Sequence, residues 1–468
     1  MTRFAGAPQA RSACGMTRKE PTMYFRAILT ALTFSAAPLA AQSAPRTITF
    51  GDAVGIALRQ NVAIRQAQNA TALDETAVRQ QRLQFLPDLR LNVSGSESVG
   101  RSFSQTEGRI TDQTTQAVST GVSSSVTLFN GGQNVANLRA ARLGEQASTQ
   151  DLARTRQTVV FTVASNYLNL VAQQEQLRVQ QQNLAALQQQ EEQIKRFVDV
   201  GSRPISDLYQ QQASVAAARA SVVEAQRALE LAKVDLIQTL QLDPAGTYEF
   251  VAPTVNDSAA ATRQYDLDSL VARAYAQRAD IDADEARVGA AEQDVKAAQG
   301  SKWPTISLSL GYNTAYSSAS DLSVADQLNQ RRGGSIGIGV SIPLFDRGST
   351  DLATQRAQIQ ADNARLALQQ QRQEVALDVR RAYLDHRAAQ ERLAAAQAQQ
   401  RAADQAVAAT RERYRVGAAT LVELTQSQAS QVQAASALVN ARYNLVFQQS
   451  LMSYYTGELD PANVRLGD

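Results

Sequence analysis

Hydrophobic positions recur every three or four residues over most of the chain, a spacing that predicts long amphipathic helices. The pattern covers residues 50–81 and 267–298, and it returns over residues 133–198 and 349–414. At 1.5 Å per residue, each of the last two segments would form a helix roughly 100 Å long. No globular domain needs helices of that length, so they are predicted to form a coiled coil or part of a tube.

Each long helical pattern is followed by a second one that returns in the opposite direction. The first return segment carries an Ala-rich seam with steps of three and four residues: Val215, Ala218, Val222, Ala225, Leu229, Ala232 and Leu236. Small seam residues permit close helix packing, while Gln and Ser on the other faces tolerate water. This composition suits a wall with solvent on both sides better than a solid core.

The hydrophobic period changes to two in four other segments. Alternation begins after Leu86-Pro87 in the first half and after Trp303-Pro304 in the second, because a residue before proline avoids the αR region. A second alternating run follows in each half, and polar stretches at residues 105–116 and 317–332 join the two runs. Each half is therefore predicted to contain one β-hairpin with a long polar tip.

The alternating positions leave two interpretations of the strands. An apolar face that alternates with Ser, Gly and Asn is typical of outer-membrane strands, with lipid outside and water inside. The alternative is a small soluble sheet packed on helices. Four strands cannot close into a barrel, which needs about eight. The membrane interpretation therefore predicts several copies of the chain in one assembly.

Two matching stretches interrupt the helices, and we name them the first elbow (residues 196–209) and the second elbow (residues 413–424). Each has an aromatic residue ahead of Val-Gly and then an acid and a Leu at the same distances after the Gly. Glycine reaches a left-handed φ without a Cβ penalty and is expected to end one helix. Pro204 would then suit the first turn of the next. The recurrence of the whole pattern indicates an internal duplication.

The duplication and the N-terminal composition divide the chain into predicted parts. Arg26 followed by a short apolar run reads as a signal peptide, whose true start is expected at Met16 or Met23. Cys14 precedes the expected cleavage point, so the mature chain would have no thiol for disulfides, metal sites or nucleophilic catalysis. The predicted parts are an upstream segment with signal peptide (1–43), a first repeat (44–241), a linker (242–263), a second repeat (264–456) and a C-terminal tail (457–468).

Charge and candidate chemistry exclude several classes of function. The formal net charge is +2, so no strong field indicates nucleic acid or an acidic partner. The single histidine, His386, is expected to be a solvated helix residue. Paired carboxylates, metal clusters and Gly-rich phosphate loops in a suitable context are absent from the sequence, so neither an enzyme nor a cofactor is expected. No apolar run near 20 residues follows the signal, and no transmembrane helix is expected.

The order and duplication of these motifs resemble the TolC-like outer-membrane efflux proteins. The matching motifs are the Leu-Pro and Trp-Pro strand entries, the Leu-Phe-(Asn/Asp)-x-Gly strand exits and the two Val-Gly-(x)5-(Asp/Glu)-Leu elbows. The resemblance implies an α+β membrane protein that forms a homotrimer, with four strands per chain in one twelve-stranded outer-membrane β-barrel and a long periplasmic α-helical barrel.

Such a protein would be the passive exit duct of a tripartite efflux pump or a type I secretion system in the outer membrane of a Gram-negative-type cell. The implied partners are a periplasmic membrane-fusion adaptor, an inner-membrane pump and outer-membrane lipid. From a different class, the alternative is a soluble periplasmic coiled-coil scaffold.

The resemblance also assigns roles to residues of the two elbows, which would lie at the periplasmic tip. The implied channel constriction or gate consists of Asp207, Glu423, Tyr414, Gln426 and Arg203. The implied adaptor-contacting residues are Val200, Gly201, Leu208, Val416, Gly417 and Leu424.

The sequence departs from the family's gate pattern at two of these tip positions. Ala419 stands where the best-known members have Arg, and Gln426 stands where they have a second acid. Arg203 is the candidate substitute for the missing Arg. For Asp207 and Glu423, the alternative role is that of helix N-terminal acids favoured by the macrodipole.

Overall fold

The structure is a computed structural model that describes residues 46–104, 108–252 and 263–461. The predicted upstream segment and signal peptide lie outside these residues. So do part of the predicted linker, the end of the predicted tail and three residues of the first polar hairpin tip.

The elements follow the duplicated order that the sequence predicts. In chain order, the first half contains β1 (Arg46–Ile48), α1 (Phe50–Gln60), α2 (Val62–Leu83), β2 (Arg90–Ser104), β3 (Arg109–Asn130), α3 (Gln133–Asp199), α4 (Ile205–Leu240) and β4 (Tyr248–Phe250). The second half contains α5 (Leu267–Gln277), α6 (Ala279–Gly300), β5 (Thr305–Ser317), α7 (Val324–Gln330), β6 (Gly333–Ser341), α8 (Ser349–Arg415) and α9 (Leu421–Thr456).

The two predicted hairpins join into one antiparallel sheet with the order β2-β3-β5-β6. The register sets Leu310 opposite Ile336, and Leu308 opposite Val126, so the apolar side chains of all four strands share one face. That face is exposed within the chain, and its exposed members include Leu91, Val93, Val122, Leu310, Tyr312, Ile336, Ile338 and Val340. The other face carries mainly Ser, Gly, Asn and Thr. The sheet therefore separates an apolar surface from a polar one.

The hairpin tips differ from the sequence prediction. Residues 109–116 were expected in a polar tip but belong to β3, so the first hairpin stays paired as far as Ser104 opposite Arg109. The guanidinium of Arg101 and the carboxylate of Asp112 form an ion pair at 3.2 Å. In the second hairpin, the polar tip contains the short helix α7. Polar composition alone could not distinguish long protruding strands from a loop.

The two shorter helical segments are each broken in the middle, which the hydrophobic period did not predict. Asn61 separates α1 from α2, and Arg278 separates α5 from α6, both with an extended backbone (ψ 129° and 116°). The side chain of Asn61 caps α2 by accepting a hydrogen bond from the backbone N–H of Ala63 at 2.9 Å. The matched position of the two breaks is further evidence of the duplication.

The two longest helices, α3 and α8, have 67 residues each and match the predicted segments to within one residue. Each begins after a left-handed glycine, Gly132 or Gly348. The side chains of Asn130 and Asp346 then accept hydrogen bonds from backbone N–H groups in the first turn. The return helix α4 buries the predicted seam apart from Val222, which is half-buried.

The apolar interior consists of several clusters along the helices, and the largest lies where α1, α3, α4, β1 and β4 meet. Strands β1 and β4 pair in parallel there, with Arg46 opposite Tyr248. Tyr167 is fully buried between them, and its hydroxyl lies 2.5 Å from the carbonyl oxygen of Val251 and 3.2 Å from that of Ile48. The tyrosine therefore fixes the start of the described chain to the segment that follows α4.

Beside this interior, the helical region contains a largely buried ionic cluster. The guanidinium of Arg278 donates to both carboxylate oxygens of Asp280, at 3.0 and 2.5 Å. Arg154, on α3, lies 3.8 Å from the same carboxylate, and its guanidinium covers the ring of Tyr454 at 3.9 Å. Burial raises the pKa of Asp280, but the hydrogen bond and charge of Arg278 and the charge of Arg154 outweigh it, so the pKa is lowered. The cluster joins α3, α6 and α9.

The predicted solvation of His386 is wrong. Its side chain is 1% exposed, and its ring packs edge-on against Tyr265 with the centroids 5.0 Å apart. Burial first, and the charge of Arg263 second, lower the pKa of His386. The polar and alanine neighbours in the sequence suggested an exposed position, but the helix face that carries His386 packs against the segment before α5.

Within the described residues, no helix combines the length and the hydropathy that crossing a bilayer requires.

Candidate functional site

The two elbows have matching backbone geometry. Gly201 and Gly417 have left-handed φ values of 73° and 79°. The N–H of Ser202 donates to the carbonyl of Phe197 at 2.9 Å, and the N–H of Ala418 donates to that of Arg413 at 2.8 Å. This pattern satisfies the last free carbonyl groups of a helix and stops it sharply. Both long helices therefore reverse direction through the same turn.

The next helix begins differently at the two elbows. Pro204 occupies the N-cap of α4, one position before the helical turn in which it was predicted. Thr420 caps α9, with its hydroxyl accepting a hydrogen bond from the N–H of Glu423 at 3.2 Å. Only the second elbow thus has a side-chain cap.

An apolar cluster, which we name the elbow cluster, joins the two elbows. It consists of Ile194, Tyr414, Ala419, Leu421 and Leu424, with Val198 and Leu208 packed against it. Ile194, Val198 and Leu208 come from the first helical hairpin, and the other members come from the second. The two elbows therefore pack against each other within one chain.

Arg203 connects the elbows by a polar contact beside this cluster. Its guanidinium lies 4.5 Å from the ring centroid of Tyr414 and donates a hydrogen bond to the carbonyl oxygen of Tyr414 at 2.8 Å. A cation over an aromatic face is attracted by the negative potential of the ring. The structure thus brings together two of the predicted gate residues, one from each repeat.

The hydroxyl of Tyr414 is buried and has no hydrogen-bond partner among the described residues. Burial raises the pKa of this tyrosine, Arg203 opposes the rise, and the negative charge of Asp207 adds to it.

The two predicted gate acids occupy equivalent positions in the first turns of α4 and α9. Asp207 is half-buried. Glu423 lies 3.5 Å from the guanidinium of Arg413, on the surface of the second elbow. Both positions are compatible with favourable interaction with the helix dipole. Among the residues that the structure describes, neither acid forms a hydrogen bond or ion pair that joins the two elbows, as Arg203 does.

Gln426 is exposed and lines a polar groove of about 640 Å³ between α3, α4 and α9. Gln180, Ser214, Ser221 and Gln433 also line this groove. Gln428 lines the groove as well, and its amide nitrogen donates to the side-chain oxygen of Gln190 at 2.6 Å. This buried contact is a second connection between the two helical hairpins.

The predicted adaptor-contacting residues divide into two groups. Val200 and Val416 are 76% and 66% exposed at the turns, next to Gly201 and Gly417. In contrast, Leu424 is 2% exposed and lies inside the elbow cluster, where Leu208 packs against it. Within one chain, the valines and glycines are accessible and the leucines support the turn.

Several residues of this site were not identified from the sequence. Ile194, Leu421 and Arg413 complete the elbow contacts, and Gln190 and Gln428 pair below them. Helical spacing identifies Ile194 and Leu421 as apolar-face positions, but it does not show which second helix they meet. The glutamine pair gave no signal, because Gln is abundant throughout the chain.

No group of three or more His, Cys, Asp or Glu side chains in the described ranges is arranged to hold a metal ion.

Comparison with protein families gives a match in both halves of the chain. The model of the family described as "Outer membrane efflux protein" matches residues 53–240 and 270–456. The two matches correspond to the two structural repeats and together cover most of the chain.

Individual relatives and solved structures extend this similarity over nearly the whole length. The chain is 26% identical to the outer membrane efflux protein BepC of Brucella suis over 370 residues, which cover 79% of this chain and 77% of BepC. It is 24% identical to the outer membrane protein TolC of Vibrio cholerae, over 83% of this chain and 86% of TolC. The fold is similar to the crystal structure of the outer membrane protein VceC from Vibrio cholerae, with a TM-score of 0.75, 19% identity and coverage of 87% and 96%.

Proposed function

Because the chain belongs to the outer membrane efflux protein family, we propose that three copies of it form one passive duct that receives its cargo from a periplasmic adaptor and an inner-membrane pump. The chain is an outer-membrane exit channel of efflux or secretion systems. The observation that carries the proposal for a trimeric duct is the four-stranded sheet, which exposes an apolar face and has two free edges. The family assignment replaces the alternative of a soluble scaffold.

The sheet supports assembly of several copies because it cannot close on itself. Strands β2 and β6 stand at its edges, and neither pairs with a further strand in the described part of the chain. Free edges expose unpaired N–H and C=O groups, which a bilayer does not tolerate. Pairing β6 of one copy with β2 of the next removes all the edges. Three copies would give twelve strands, enough for a closed barrel with an aqueous interior.

The helices support the same assembly. A stripe of large apolar side chains on α8 is exposed within the chain: Leu352, Ile359, Leu366, Leu377 and Leu384. Their spacings of seven and eleven residues keep them on one side of a helix. We infer that this stripe packs against the helices of the neighbouring copy and continues the barrel as a helical tube.

Disulfide cross-linking tests the assembly, in a Cys14→Ser background so that only introduced thiols react. Leu91→Cys on β2 and Ile338→Cys on β6 lie on the same face at opposite edges. We expect covalent dimers and trimers in the outer-membrane fraction when Leu91→Cys is combined with Ile336→Cys, Ile338→Cys or Val340→Cys. Replacing Leu91→Cys by Asn92→Cys, which faces the other side, should abolish the ladder. A monomeric protein, or no ion conductance in planar bilayers, would refute the proposed duct.

We propose that the elbows form the narrow end of the duct, with Asp207, Glu423, Tyr414, Gln426 and Arg203 at the constriction. The contact of Arg203 with Tyr414 supports this proposal, because it joins the helical hairpin of one repeat to that of the other. A hydrogen bond from a charged donor contributes about 1.5–3 kcal/mol. Ala419 stands where the best-known members of the family have Arg. In this chain, Arg203 would form the link between helices that this Arg forms in those members.

Single-channel conductance of an Arg203→Ala variant tests this link. We expect the conductance to rise several-fold, because the elbows can separate when the contact is lost. Arg196→Ala is the matched control: Arg196 lies on the first elbow, but the hydrogen bond of its guanidinium within the described residues goes to the carbonyl oxygen of Glu192 in its own helix. Equal conductance of the two variants would contradict the role of Arg203.

The exposed turn residues are the proposed contacts of the adaptor. Val200, Gly201, Val416 and Gly417 form the accessible ends of the two helical hairpins, and we assign Leu208 and Leu424 to the support of these ends. Val200→Asp with Val416→Asp should abolish export in cells while leaving the conductance of the purified trimer unchanged. Loss of conductance in the variant would instead assign the valines to folding.

A further inference from the structure

The short helix α7 is held against the end of β5 by a buried glutamine. Gln327 is 0% exposed, its amide nitrogen donates to the carbonyl oxygen of Leu322 at 2.9 Å, and its side-chain oxygen accepts from the N–H of Ser317 at 2.9 Å. The hydroxyl of Thr314 donates to the carbonyl oxygen of Leu328 at 2.7 Å. The segment between the strands is therefore a folded element with a defined position.

This element folds toward the apolar face of the sheet. Thr314 alternates with Ser and Asn positions along β5 and shares its face with Tyr312 and Leu310. Its hydroxyl contacts α7, so the helix end lies on that side. A lid over the duct would instead contact the odd-numbered positions of β5, which carry Ser307, Ser309 and Asn313.

The exposed surface of the element carries three apolar side chains, two arginines and one acid, Asp326, whose carboxylate accepts a hydrogen bond from the hydroxyl of Ser323 at 2.6 Å. Leu322, Val324 and Leu328 are exposed, and Val324 and Leu328 are four residues apart on one side of the helix. Arg331 and Arg332 follow directly and are also exposed. Helices that carry apolar side chains beside Lys or Arg lie in the interface of a membrane, and this segment has both kinds of side chain.

The height of α7 on the sheet matches the thickness of a membrane. At about 3.3 Å per residue and a tilt of about 40°, Thr314 lies roughly 23 Å above Thr305. Trp303 and Phe345 are exposed just beyond the lower end of the strands. Outer-membrane barrels have an apolar band about 25 Å tall with aromatic residues at both boundaries. The element thus stands at the boundary opposite to these two aromatic residues.

We propose that residues 322–332 form an anchor in the outer leaflet of the outer membrane. In this proposal Leu322, Val324 and Leu328 insert among the acyl chains, and Arg331 and Arg332 bind the phosphate groups of the lipid headgroups. The inference rests on the proposed function, since it requires the apolar face of the sheet to contact lipid. It adds one lipid-binding element per chain, at the end of the β5–β6 hairpin, to the lipid contacts made by the strands themselves.

Quenching of tryptophan fluorescence by brominated lipids tests the anchor in the full-length protein. In a Trp303→Phe background, single tryptophans are introduced by Val324→Trp, Ile338→Trp and Ile110→Trp. Ile338 lies on the apolar face, whereas Ile110 lies on a hairpin end that extends roughly 25 Å beyond Thr314. The vesicles contain phosphatidylethanolamine and phosphatidylglycerol, brominated either near the headgroup or deep in the acyl chain.

We expect Val324→Trp to be quenched at least half as strongly as Ile338→Trp, and more by bromine near the headgroup than by deep bromine. Ile110→Trp should be quenched little. Quenching of Ile338→Trp without quenching of Val324→Trp would overturn the anchor and leave the duct intact. If Ile338→Trp is not quenched either, the proposed barrel itself is refuted.

A second variant tests the phosphate contact. Arg331→Gln with Arg332→Gln should reduce the quenching of Val324→Trp by at least a third in vesicles with anionic phosphatidylglycerol, and less in vesicles of phosphatidylcholine alone. Unchanged quenching in both lipids would overturn the role of the two arginines.

Discussion

At the scale of single residues, His386 shows how a helix face can hide a polar side chain. Its neighbours Arg387 and Asp385 are exposed, yet His386 itself is buried against Tyr265. Its Nε2 atom has no hydrogen-bond partner among the described residues. Protonation would place a charge in this site beside Arg263, which explains the direction of its pKa shift.

Stability should therefore depend on His386 in mild acid. The pKa is lowered in the folded state, so the unfolded chain binds the proton at higher pH, from about 6.5 downward. The contribution of neutral His386 to the free energy of unfolding should be fully present above about pH 6.5. It should fall as the pH decreases from about 6.5 toward the folded pKa, by at most about 1.4 kcal/mol per pH unit and chain. His386→Phe should flatten the pH dependence of the thermal dissociation of the assembly. A slope that persists in the variant would assign it to carboxylates.

The cluster of Arg154, Arg278 and Asp280 provides a second prediction at this scale. Asp280→Asn would leave the buried guanidinium of Arg278 and the partly buried one of Arg154 without their counter-charge, and breaking a buried ion pair costs about 3–5 kcal/mol. We expect a large decrease in the thermal midpoint of the assembly. Asp362→Asn is the control, because its ion pair with Arg365 is exposed and should contribute little to stability. A similar small effect of both variants would contradict the importance of the cluster.

At the scale of the elements, the sequence predicts the duplicated helices and strands, but it does not predict the features that tertiary contacts determine. The ends of α3 and α8 could be predicted because glycines lie just outside them: Gly131-Gly132 and Gly348 before the helices, and the elbow glycines after them. The breaks at Asn61 and Arg278 had no Gly or Pro signal, and Arg278 is fixed by Asp280 and by packing. The elbows were located from the sequence, but their mutual packing through Ile194 and Arg203 required the tertiary arrangement.

The junction between β3 and α3 gives a prediction about two adjacent glycines. Both Gly131 and Gly132 have left-handed φ values, 66° and 81°. A Cβ atom on Gly131 would lie 2.1 Å from the carbonyl oxygen of Gly300, whereas one on Gly132 would meet no atom within 4 Å. Gly132→Ala should cost about 1–2 kcal/mol through its backbone conformation alone.

Gly131→Ala adds a collision between backbone segments to the same strain. We expect it to abolish assembly, measured as the heat-modifiable oligomer on semi-native gels, while Gly132→Ala still assembles. Equal yields of the two variants would show that the junction can move apart without loss of structure.

At the scale of the whole molecule, the proposed trimer would collect three copies of Asp207 and of Glu423 at the constriction. Rings of carboxylates favour cations in a narrow pore. Asp207→Ala with Glu423→Ala should therefore reduce the preference for cations in planar-bilayer reversal potentials. The pair Glu224→Ala with Glu230→Ala, further along α4 and with each acid bound to a basic residue of its own helix, should leave it unchanged. An unchanged preference in the first variant would assign these acids to the helix N-termini.

The pairing of β1 with β4 has a consequence for the order in which this chain can fold. β1 is the first described element, but its partner strand, at Tyr248–Phe250, comes only after the whole first repeat. The chain is synthesised from its N-terminus, so β1 cannot pair with β4 until the entire first repeat has been made. Such long-range parallel pairing is intrinsically slow. A chain interrupted after α4 would keep an unpaired strand, whereas one that includes β4 can close its first repeat before the second exists.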